Sequence, residues 1–289
     1  MPTKKNWPLR WDLLLRYRLI EIIALWEGRL TTNHLCQAFG IGRQQASGDI
    51  NAYLRDIGPG NLDYDRSLKG YVPSATFKPQ LTLGSADEYL LALARSNELS
   101  HTFETLQIQM PNTEVLTLPM RDVRPDVVRP IVQAARAGKR LEVEYASLDN
   151  PKPEIRVIAP HTLVNTGLRW HVRAWCEKNK AYRDFVLSRF RGSPDVLDDF
   201  TERGADRDEV WNHRLVIRIE PDSRLNPDQR RVIAHDYGMT RQVLRIETRA
   251  ALAKYALDLM RIDVNKIESD PKAQQIVVAN LDEVKKWLF

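Results

Sequence analysis

The residues that decide the fold of the first part of this chain are 31–51, TTNHLCQAFGIGRQQASGDIN. Thr31 or Thr32 can cap a short helix, because a threonine hydroxyl accepts a hydrogen bond from the first free amides of a helix. Gly40-Ile41-Gly42 then predicts a tight turn. A longer helix follows from about Arg43 to Ile57, and its buried face is predicted to carry Ala46, Ile50, Leu54 and Ile57. Two helices joined by a glycine turn are typical of a helix-turn-helix.

The open face of the longer helix carries side chains of the kind that read DNA. Arginine, glutamine and asparagine have forked groups that match base edges in the major groove, and serine suits phosphate contacts. Gly48 costs about 1 kcal/mol in a helix relative to alanine, and a close approach of the backbone to DNA is one reason to keep it. The alternative is a solvated polar face on an ordinary three-helix domain. The predicted DNA contacts are Arg43, Gln44, Gln45, Ser47 and Asn51.

The flanking segments extend this motif to a winged helix. Apolar residues recur in steps of three and four from Trp11 to Trp26, which predicts an amphipathic helix ended by Gly28. Short strands at Leu62–Tyr64 and Tyr71–Val72 predict a hairpin, the wing. Its tip carries Arg66 and Lys69, which suit phosphate or minor-groove contacts, although a plain surface hairpin is the alternative. Residues 1–77 hold 10 basic and 7 acidic residues, a net charge of +3, so their cations must gather on one face to bind phosphates.

Residues 78–120 are predicted to be a connector with one packing helix. Ser85-Ala-Asp-Glu88 is a capping box that would open this helix. Two interpretations are open for it, namely packing within the chain and packing between two subunits.

Residues 121–208 predict a small β-domain. Arg124-Pro125 begins a helix that Gly138 ends, and alternating apolar residues from Leu141 to Tyr145 indicate a strand. Further strands are predicted at Ile155–Asn165, Arg169–Cys176 and Tyr182–Phe190. Several short strands separated by turns suggest a small barrel.

This region resembles a WYL domain on three segments, Pro160-His-Thr-Leu, Leu168-Arg-Trp-His-Val-Arg-Ala-Trp and Tyr182-Arg-Asp-Phe-Val-Leu-Ser-Arg-Phe190. The Trp-Tyr-Leu tripeptide that names the family stands here as Trp170-His171-Val172, whereas the pattern Arg-x-Phe-x-x-Ser-Arg is intact. The order of the whole chain is similar to that of the dimeric WYL repressors found beside BREX and CBASS phage-defence islands. The resemblance implies an Sm-like barrel that senses a nucleotide or nucleic-acid ligand, and a repressor of a defence operon that this ligand releases.

The expected ligand site combines the family pattern with one face of a strand. Arginines on that face can bind phosphates, and Trp170 or Tyr145 can offer a surface on which a base stacks. The alternative is that these arginines are solvated or paired with Glu142, Glu144 and Asp184. The predicted ligand residues are Tyr145, His161, Arg169, Trp170, His171, Arg173, Arg183, Ser188 and Arg189.

Residues 209–289 predict three alternating strands and helices, beginning with a strand at Leu215–Glu220. This order suggests a small split βαβ sheet. It resembles the extension that follows WYL domains, which implies dimer contacts or ligand gating. The whole chain is therefore expected to be α+β and multidomain: a winged helix-turn-helix in 1–77, the connector in 78–120, the WYL barrel in 121–208 and the extension in 209–289.

Composition limits the other function classes. No run of 18 apolar residues exists and the N-terminus does not resemble a signal peptide, so we expect a cytoplasmic protein without membrane contacts. Cys36 and Cys176 show no zinc spacing, and we predict no metal site, no cofactor and no catalytic residue. A weaker alternative is a metal-dependent nuclease built on Asp126, Glu142 and Glu144, but Glu144 stands where the catalytic lysine would be.

The expected partners follow from the small footprint of a single winged helix. A homodimer on an inverted repeat of double-stranded DNA would double that footprint. An unknown anionic nucleotide or oligonucleotide is the expected effector. Repression and activation both remain open at this point, because the distinction depends on where the operator lies relative to the promoter.

Overall fold

The computed structural model describes residues 10–91, 116, 121–266 and 268–288. The chain divides into two units, Met1–Thr117 and Leu118–Phe289, and each is described by itself. The division falls inside the predicted connector, while the domain boundaries predicted at 77, 120 and 208 stay predictions.

The first unit contains the predicted three helices, α1 (Trp11–Glu27), α2 (Thr32–Phe39) and α3 (Arg43–Asp56). Gly28 ends α1 and Gly40 ends α2, both in the left-handed conformation that glycine adopts without steric cost. Thr31 caps α2 in a box with His34. The shared core is formed by Tyr17, Ile20, Ile23, Ala24, Leu30, Leu35, Ala46, Ile50, Tyr53 and Leu62.

The apolar stripe predicted for α1 is only partly the buried face. Trp11 is 73% exposed, and Leu15 and Trp26 are also exposed. Tyr17 and Ile20 are buried instead, together with the carboxylate of Glu21. The pattern of three- and four-residue steps identified the helix correctly, but two overlapping apolar stripes left its orientation undetermined.

The predicted wing is a two-stranded antiparallel sheet, β1 (Leu62–Asp65) and β2 (Gly70–Pro73). An isolated bridge between Leu30 and Tyr71 ties β2 to the α1–α2 connection. The predicted connector helix is helical from residue 86, and it is described as far as 91. Glu88 departs from the predicted capping box, because its carboxylate accepts hydrogen bonds from the Leu83 amide and the Thr82 hydroxyl and pairs with Arg18.

The second unit begins with the predicted helix Pro125–Ala137 and a five-stranded antiparallel sheet. The strands are β3 (Lys139–Tyr145), β4 (Glu154–Asn165), β5 (Trp170–Cys176), β6 (Ala181–Val186) and β7 (Phe190–Phe200). Their spatial order is β6-β5-β4-β3-β7, and bulges interrupt β3 against β7 and β4 against β5. The helix and the inner strand faces enclose one core.

The strand predicted at Tyr182–Phe190 is in fact two elements. β6 ends at Val186, a 3-10 turn spans Leu187–Arg189, and β7 then continues to Phe200. β7 was not predicted because Gly192 and Pro194 interrupt its pattern. An edge strand tolerates proline and glycine, because one side of its backbone needs no ladder partner.

The C-terminal part forms a three-stranded antiparallel sheet of β8 (Arg214–Pro221), β9 (Leu244–Arg249) and β10 (Ile276–Val278). The spatial order of its strands is β10-β8-β9. Helices at Glu209–Asn212, Pro227–Asp236, Ala253–Leu259 and Leu281–Val284 accompany it. Because β8 lies between β9 and β10 and is antiparallel to both, β9, the helix Ala253–Leu259 and β10 form the predicted split βαβ unit.

Two searches of the described ranges bear on function. No helix there is long and apolar enough to cross a membrane. In the same ranges, no group of three or more histidine, cysteine, aspartate or glutamate residues is arranged to hold a metal ion.

Candidate nucleic-acid interface and ligand cleft

The turn between α2 and α3 determines which face of α3 reaches solvent. Gly40 reverses the chain at φ +62°, and Gly42 forms the N-cap of α3 in an extended conformation. Ala46, Ile50 and Tyr53 then point into the core. The opposite face is consequently open, and Arg43, Gln44, Gln45 and Asn51 are exposed while Ser47 is half-buried.

The charge on this open face is not neutralised by nearby carboxylates. Arg43 has no ion-pair partner within the described part of the chain. Other arginines of the same unit are paired: Arg16 with Asp49, Arg18 with Glu88, and Arg55 with Asp56. Arg43 is therefore available to bind a phosphate or a base edge.

The tip of the wing is held in a fixed conformation. The Asp65 carboxylate accepts hydrogen bonds from the Ser67 amide at 2.7 Å, the Ser67 hydroxyl at 2.8 Å and the Leu68 amide at 2.9 Å. Lys69 adopts a positive φ of 50° at the return of the chain. Arg66 and Lys69 are exposed, and neither forms an ion pair with another described residue. The wing therefore presents two exposed cations without ion-pair partners on a hydrogen-bonded turn.

A buried hydrogen-bond network behind α3 was not predicted from the sequence. Glu21 accepts hydrogen bonds from the Tyr53 hydroxyl at 2.9 Å and from the amides of Gln80, Leu81 and Thr82 at 2.7–2.8 Å. Asn61, at the base of the wing, donates to the same Tyr53 hydroxyl at 2.8 Å. The network joins α1, α3, the wing and residues 80–82. A glutamate inside the apolar run Ile20-Glu-Ile-Ile23 was the signal that sequence reasoning passed over.

In the second unit, Arg173 is buried in an ion-pair cluster. Its Nε lies 2.6 Å from Asp208 Oδ2, and its Nη1 lies 3.1 Å from Asp184 Oδ1. Burial acts to raise the pKa of Asp208, but hydrogen bonds from His161, Arg173 and the Trp211 amide outweigh it and lower the pKa to about 2. Pairing with a carboxylate, the alternative to ligand binding, is thus what the structure shows for Arg173. Its role in ligand binding stays a prediction.

His171 has an unusual environment on the same strand. Arg169 Nε donates to His171 Nε2 at 3.2 Å, so the ring proton belongs on Nδ1. The Nδ1 atom is buried and has no hydrogen-bond partner among the described residues. Burial lowers the pKa of His171 to about 4; Asp184 opposes this change, while Arg169, Arg189 and Arg121 add to it. A neutral imidazole is therefore held beside several arginines.

The remaining predicted ligand residues are dispersed over the second unit. Tyr145 is buried between Phe185 and Phe190, and its hydroxyl accepts a hydrogen bond from the Val186 amide, so its ring is not an exposed stacking surface. Trp170 is 48% exposed at the start of β5. His161 contacts Asp208 at 3.2 Å, Arg183 is exposed, and Ser188 and Arg189 are half-buried in the 3-10 turn.

A cleft of about 510 Å³ collects part of this set. Arg173 and Arg183 line it together with Asp184 and Tyr255, and residues 286–288 of the C-terminal part complete the wall. The other predicted ligand residues are not part of this lining. The cleft is large enough for a nucleotide-sized ligand.

Three family models match successive parts of the chain. The BrxR transcriptional regulator winged helix-turn-helix domain matches residues 12–95, and the WYL domain matches residues 126–193. The BrxR transcriptional regulator C-terminal dimerization domain matches residues 214–284. The resemblance predicted for the middle domain is confirmed, and so is the order of the three parts.

Full-length relatives share the same arrangement. The DNA-binding transcriptional repressor CapW of Stenotrophomonas maltophilia is 34% identical over 100% of this chain and 96% of its own length. CapW of Pseudomonas aeruginosa is 33% identical over 98% of this chain and 95% of its own length. CapW of Escherichia coli is 34% identical over 95% of this chain and 91% of its own length.

Proposed function

The chain belongs to the family of the DNA-binding transcriptional repressor CapW, and we propose that it is itself a homodimeric, sequence-specific DNA-binding repressor. The observation that carries this proposal is the open face of α3. Arg43 is exposed there without an ion-pair partner in the described ranges, beside Gln44, Gln45 and Asn51. In this proposal α3 enters the major groove, and Arg66 and Lys69 of the wing contact phosphates or the minor groove.

A gel-shift assay with the DNA upstream of the protein's own gene tests the DNA-binding part. Arg43→Ala should weaken binding about 10- to 100-fold, because a bidentate arginine–base contact is worth about 1–3 kcal/mol and 1.4 kcal/mol is tenfold. Arg55→Ala is the matched control, since Arg55 lies on the same helix but is paired with Asp56. The proposal is wrong if the wild-type protein gives no sequence-specific shift, or if Arg43→Ala binds as well as wild type.

The dimer part of the proposal draws on the C-terminal domain. Residues 214–284 match a dimerization domain, and a two-fold dimer would place two α3 helices on the halves of an inverted repeat. Sedimentation should give a dimer at micromolar concentration. A stable monomer under those conditions would contradict it.

We further propose that an anionic nucleotide or oligonucleotide binds the middle domain and releases the protein from DNA. The cleft beside Arg173 and Arg183 supports this, as do the buried donor of His171 and the neighbouring Arg169. Native mass spectrometry of the purified protein, before and after nuclease treatment, tests the proposal. A bound nucleotide or oligonucleotide that is detected by its mass and that weakens operator binding would support the proposal. The proposal is contradicted if total cellular nucleotides and oligonucleotides have no effect on operator binding.

Repression of a phage-defence operon is the regulatory outcome that we propose, with the protein acting in the cytoplasm and without enzymatic activity. The alternative with the same architecture is a transcriptional activator. A reporter fused to the upstream promoter distinguishes the two: deletion of the gene should raise expression from a repressed promoter, and a fall in expression would identify an activator.

A further inference from the structure

The C-terminal sheet has an open face that the proposed function does not use. One face of β8 and β9 packs into the C-terminal core through Leu215, Ile217, Ile219, Leu244 and Ile246. Because side chains alternate along a strand, the intervening residues point to the opposite, open face. These residues are Arg214, Val216 and Arg218 of β8 and Arg245, Glu247 and Arg249 of β9.

The strand register places arginines directly opposite each other on this face. Arg218 lies opposite Arg245, and Arg214 lies opposite Arg249. Like charges at directly opposite positions of an antiparallel pair destabilise a sheet. The arrangement therefore costs stability, and a bound anion between the guanidinium groups would remove that cost.

In the pair Arg218–Arg245, neighbouring residues neutralise the charge of Arg218 but not that of Arg245. Arg218 pairs with Glu283 at 3.1 Å, and Asn280 donates to the other Glu283 oxygen at 3.0 Å. Asn280 is buried and also bonds the backbone of β8 through the Arg218 amide at 2.8 Å and the Val216 carbonyl at 2.9 Å. The Arg245 side chain has no hydrogen-bond or ion-pair partner within the residues that the structure describes.

A pocket of about 360 Å³ lies at this position. Its charged lining comprises three cations, Arg218, Arg245 and Lys286, against the single carboxylate of Glu283. Its aromatic wall is the His213–Trp287 pair, whose rings stack with centroids 4.4 Å apart and an interplanar angle of 26°. Lys286 Nζ lies 5.3 Å from the centroid of the Trp287 ring. The pocket therefore combines an uncompensated positive charge with a flat aromatic surface.

We propose that this pocket binds a nucleotide, with its phosphate on Arg218 and Arg245 and its base against Trp287. A guanidinium matches phosphate geometry in a bidentate manner, and aromatic side chains stack bases of any sequence. Residues 214–284 match a dimerization domain, so contact between two copies at this face is the competing outcome of the test below. The proposal does not depend on the DNA-binding function. The pocket shares Lys286 and Trp287 with the lining of the cleft beside Arg173, whereas Arg218 and Arg245 line this pocket and not that cleft.

Calorimetric titration of the full chain tests the site. Adenosine monophosphate should bind saturably, whereas adenosine and inorganic phosphate should each bind at least about tenfold more weakly. Arg245→Gln should weaken the binding of adenosine monophosphate at least about tenfold. Arg231→Gln is the control, because Arg231 is an exposed arginine of the same domain that pairs with Asp228 outside the pocket, and it should bind as wild type does.

Titration with a tetradeoxyadenylate that carries a 5′-phosphate, and with its unphosphorylated form, shows whether the bound phosphate belongs to a strand end or to a free nucleotide. Tighter binding of the phosphorylated strand indicates a strand end, and tighter binding of the mononucleotide indicates a free nucleotide; both results support the site. Trp287→Leu should remove the advantage of adenosine monophosphate over phosphate. Because Trp287 also lines the cleft beside Arg173, Arg245→Gln is the variant that decides the test, and it does so alone if the Trp287→Leu protein does not fold.

Two results would overturn the proposal. The first is the absence of saturable binding, or binding that Arg245→Gln leaves unchanged. The second is a shift of the monomer–dimer equilibrium in Arg245→Gln without any anion binding, which would assign the face to contacts between copies. Operator binding measured on the same variant should equal that of wild type, so failure of this site and failure of the repressor proposal are separable.

Discussion

At the scale of single residues, Glu21 links more of the first unit than any side chain that the sequence pointed to. It is fully buried, and it holds α3 through Tyr53 and the segment 80–82 through three amides. A buried charge is tolerated when hydrogen bonds replace its hydration. Residues 80–82 lie at the start of the predicted connector, so this carboxylate couples the connector to α3.

Removal of this carboxylate should strongly destabilise the first unit. Glu21→Ala leaves the donors of Tyr53, Gln80, Leu81 and Thr82 without their acceptor, and each buried unsatisfied donor costs about 1–3 kcal/mol. We expect a loss of at least about 3 kcal/mol in the free energy of unfolding, measured by urea denaturation. Tyr53→Phe removes two hydrogen bonds, the one that the hydroxyl donates to Glu21 and the one that it accepts from Asn61, and leaves the carboxylate in place. It should cost about 1–2 kcal/mol. A Glu21→Ala protein as stable as Tyr53→Phe would contradict this interpretation.

His171 gives a prediction on pH dependence. Burial lowers its pKa from 6.5 to about 4 in the folded chain, so the unfolded chain binds more protons between these values. The contribution of His171 to stability is therefore fully present above about pH 6.5, falls as the pH decreases, and is fully lost below about pH 4. Thermal melts from pH 7 to pH 4 should show a steeper loss in wild type than in His171→Gln. Parallel stability curves for the two proteins would contradict the lowered pKa of the buried His171 ring.

At the scale of elements, helices and strands follow from local sequence signals, whereas contacts between distant segments have no such signal. The Gly40-Ile-Gly42 turn and the apolar spacing around it predicted the positions of α2 and α3, and the hairpin pattern predicted the wing. The ion pair of Arg173 with Asp208, 35 positions apart, has no local signal, because two distant segments must fold before the charges meet. The same holds for the Arg218–Arg245 opposition, which depends on strand register. Local structure was thus predictable, and the site chemistry that arises from register and burial was not.

A substitution at Gly48 should affect the stability of α3 and its DNA binding in opposite directions. A Cβ at this position meets nothing within 4 Å, so Gly48→Ala should stabilise the helix by about 1 kcal/mol. If the backbone approaches DNA here, the added methyl group should weaken operator binding by roughly tenfold, or about 1.4 kcal/mol. Thermal melts and gel shifts of one variant measure both effects. A variant that is more stable and binds equally well would show that the helix does not approach DNA at Gly48.

At the scale of the whole molecule, the proposed repressor assigns one task to each part. The winged helix reads DNA, the WYL domain binds an effector, and the C-terminal domain holds two copies together. The family match supports the order of these parts, and the uncompensated cations on α3 and the wing supply the chemistry for the first task. A single winged helix covers few base pairs, so specificity in a genome requires the dimer.

A nuclease-protection footprint of the purified protein on the DNA upstream of its gene tests this central claim most directly. The account predicts two protected half-sites of inverted sequence, with centres one or more whole helical turns apart, about 10–10.5 base pairs per turn. The protection should require Arg43 and remain in Arg55→Ala. Uniform protection, a single isolated half-site, or no protection at concentrations that form the dimer would contradict a two-fold, sequence-specific repressor.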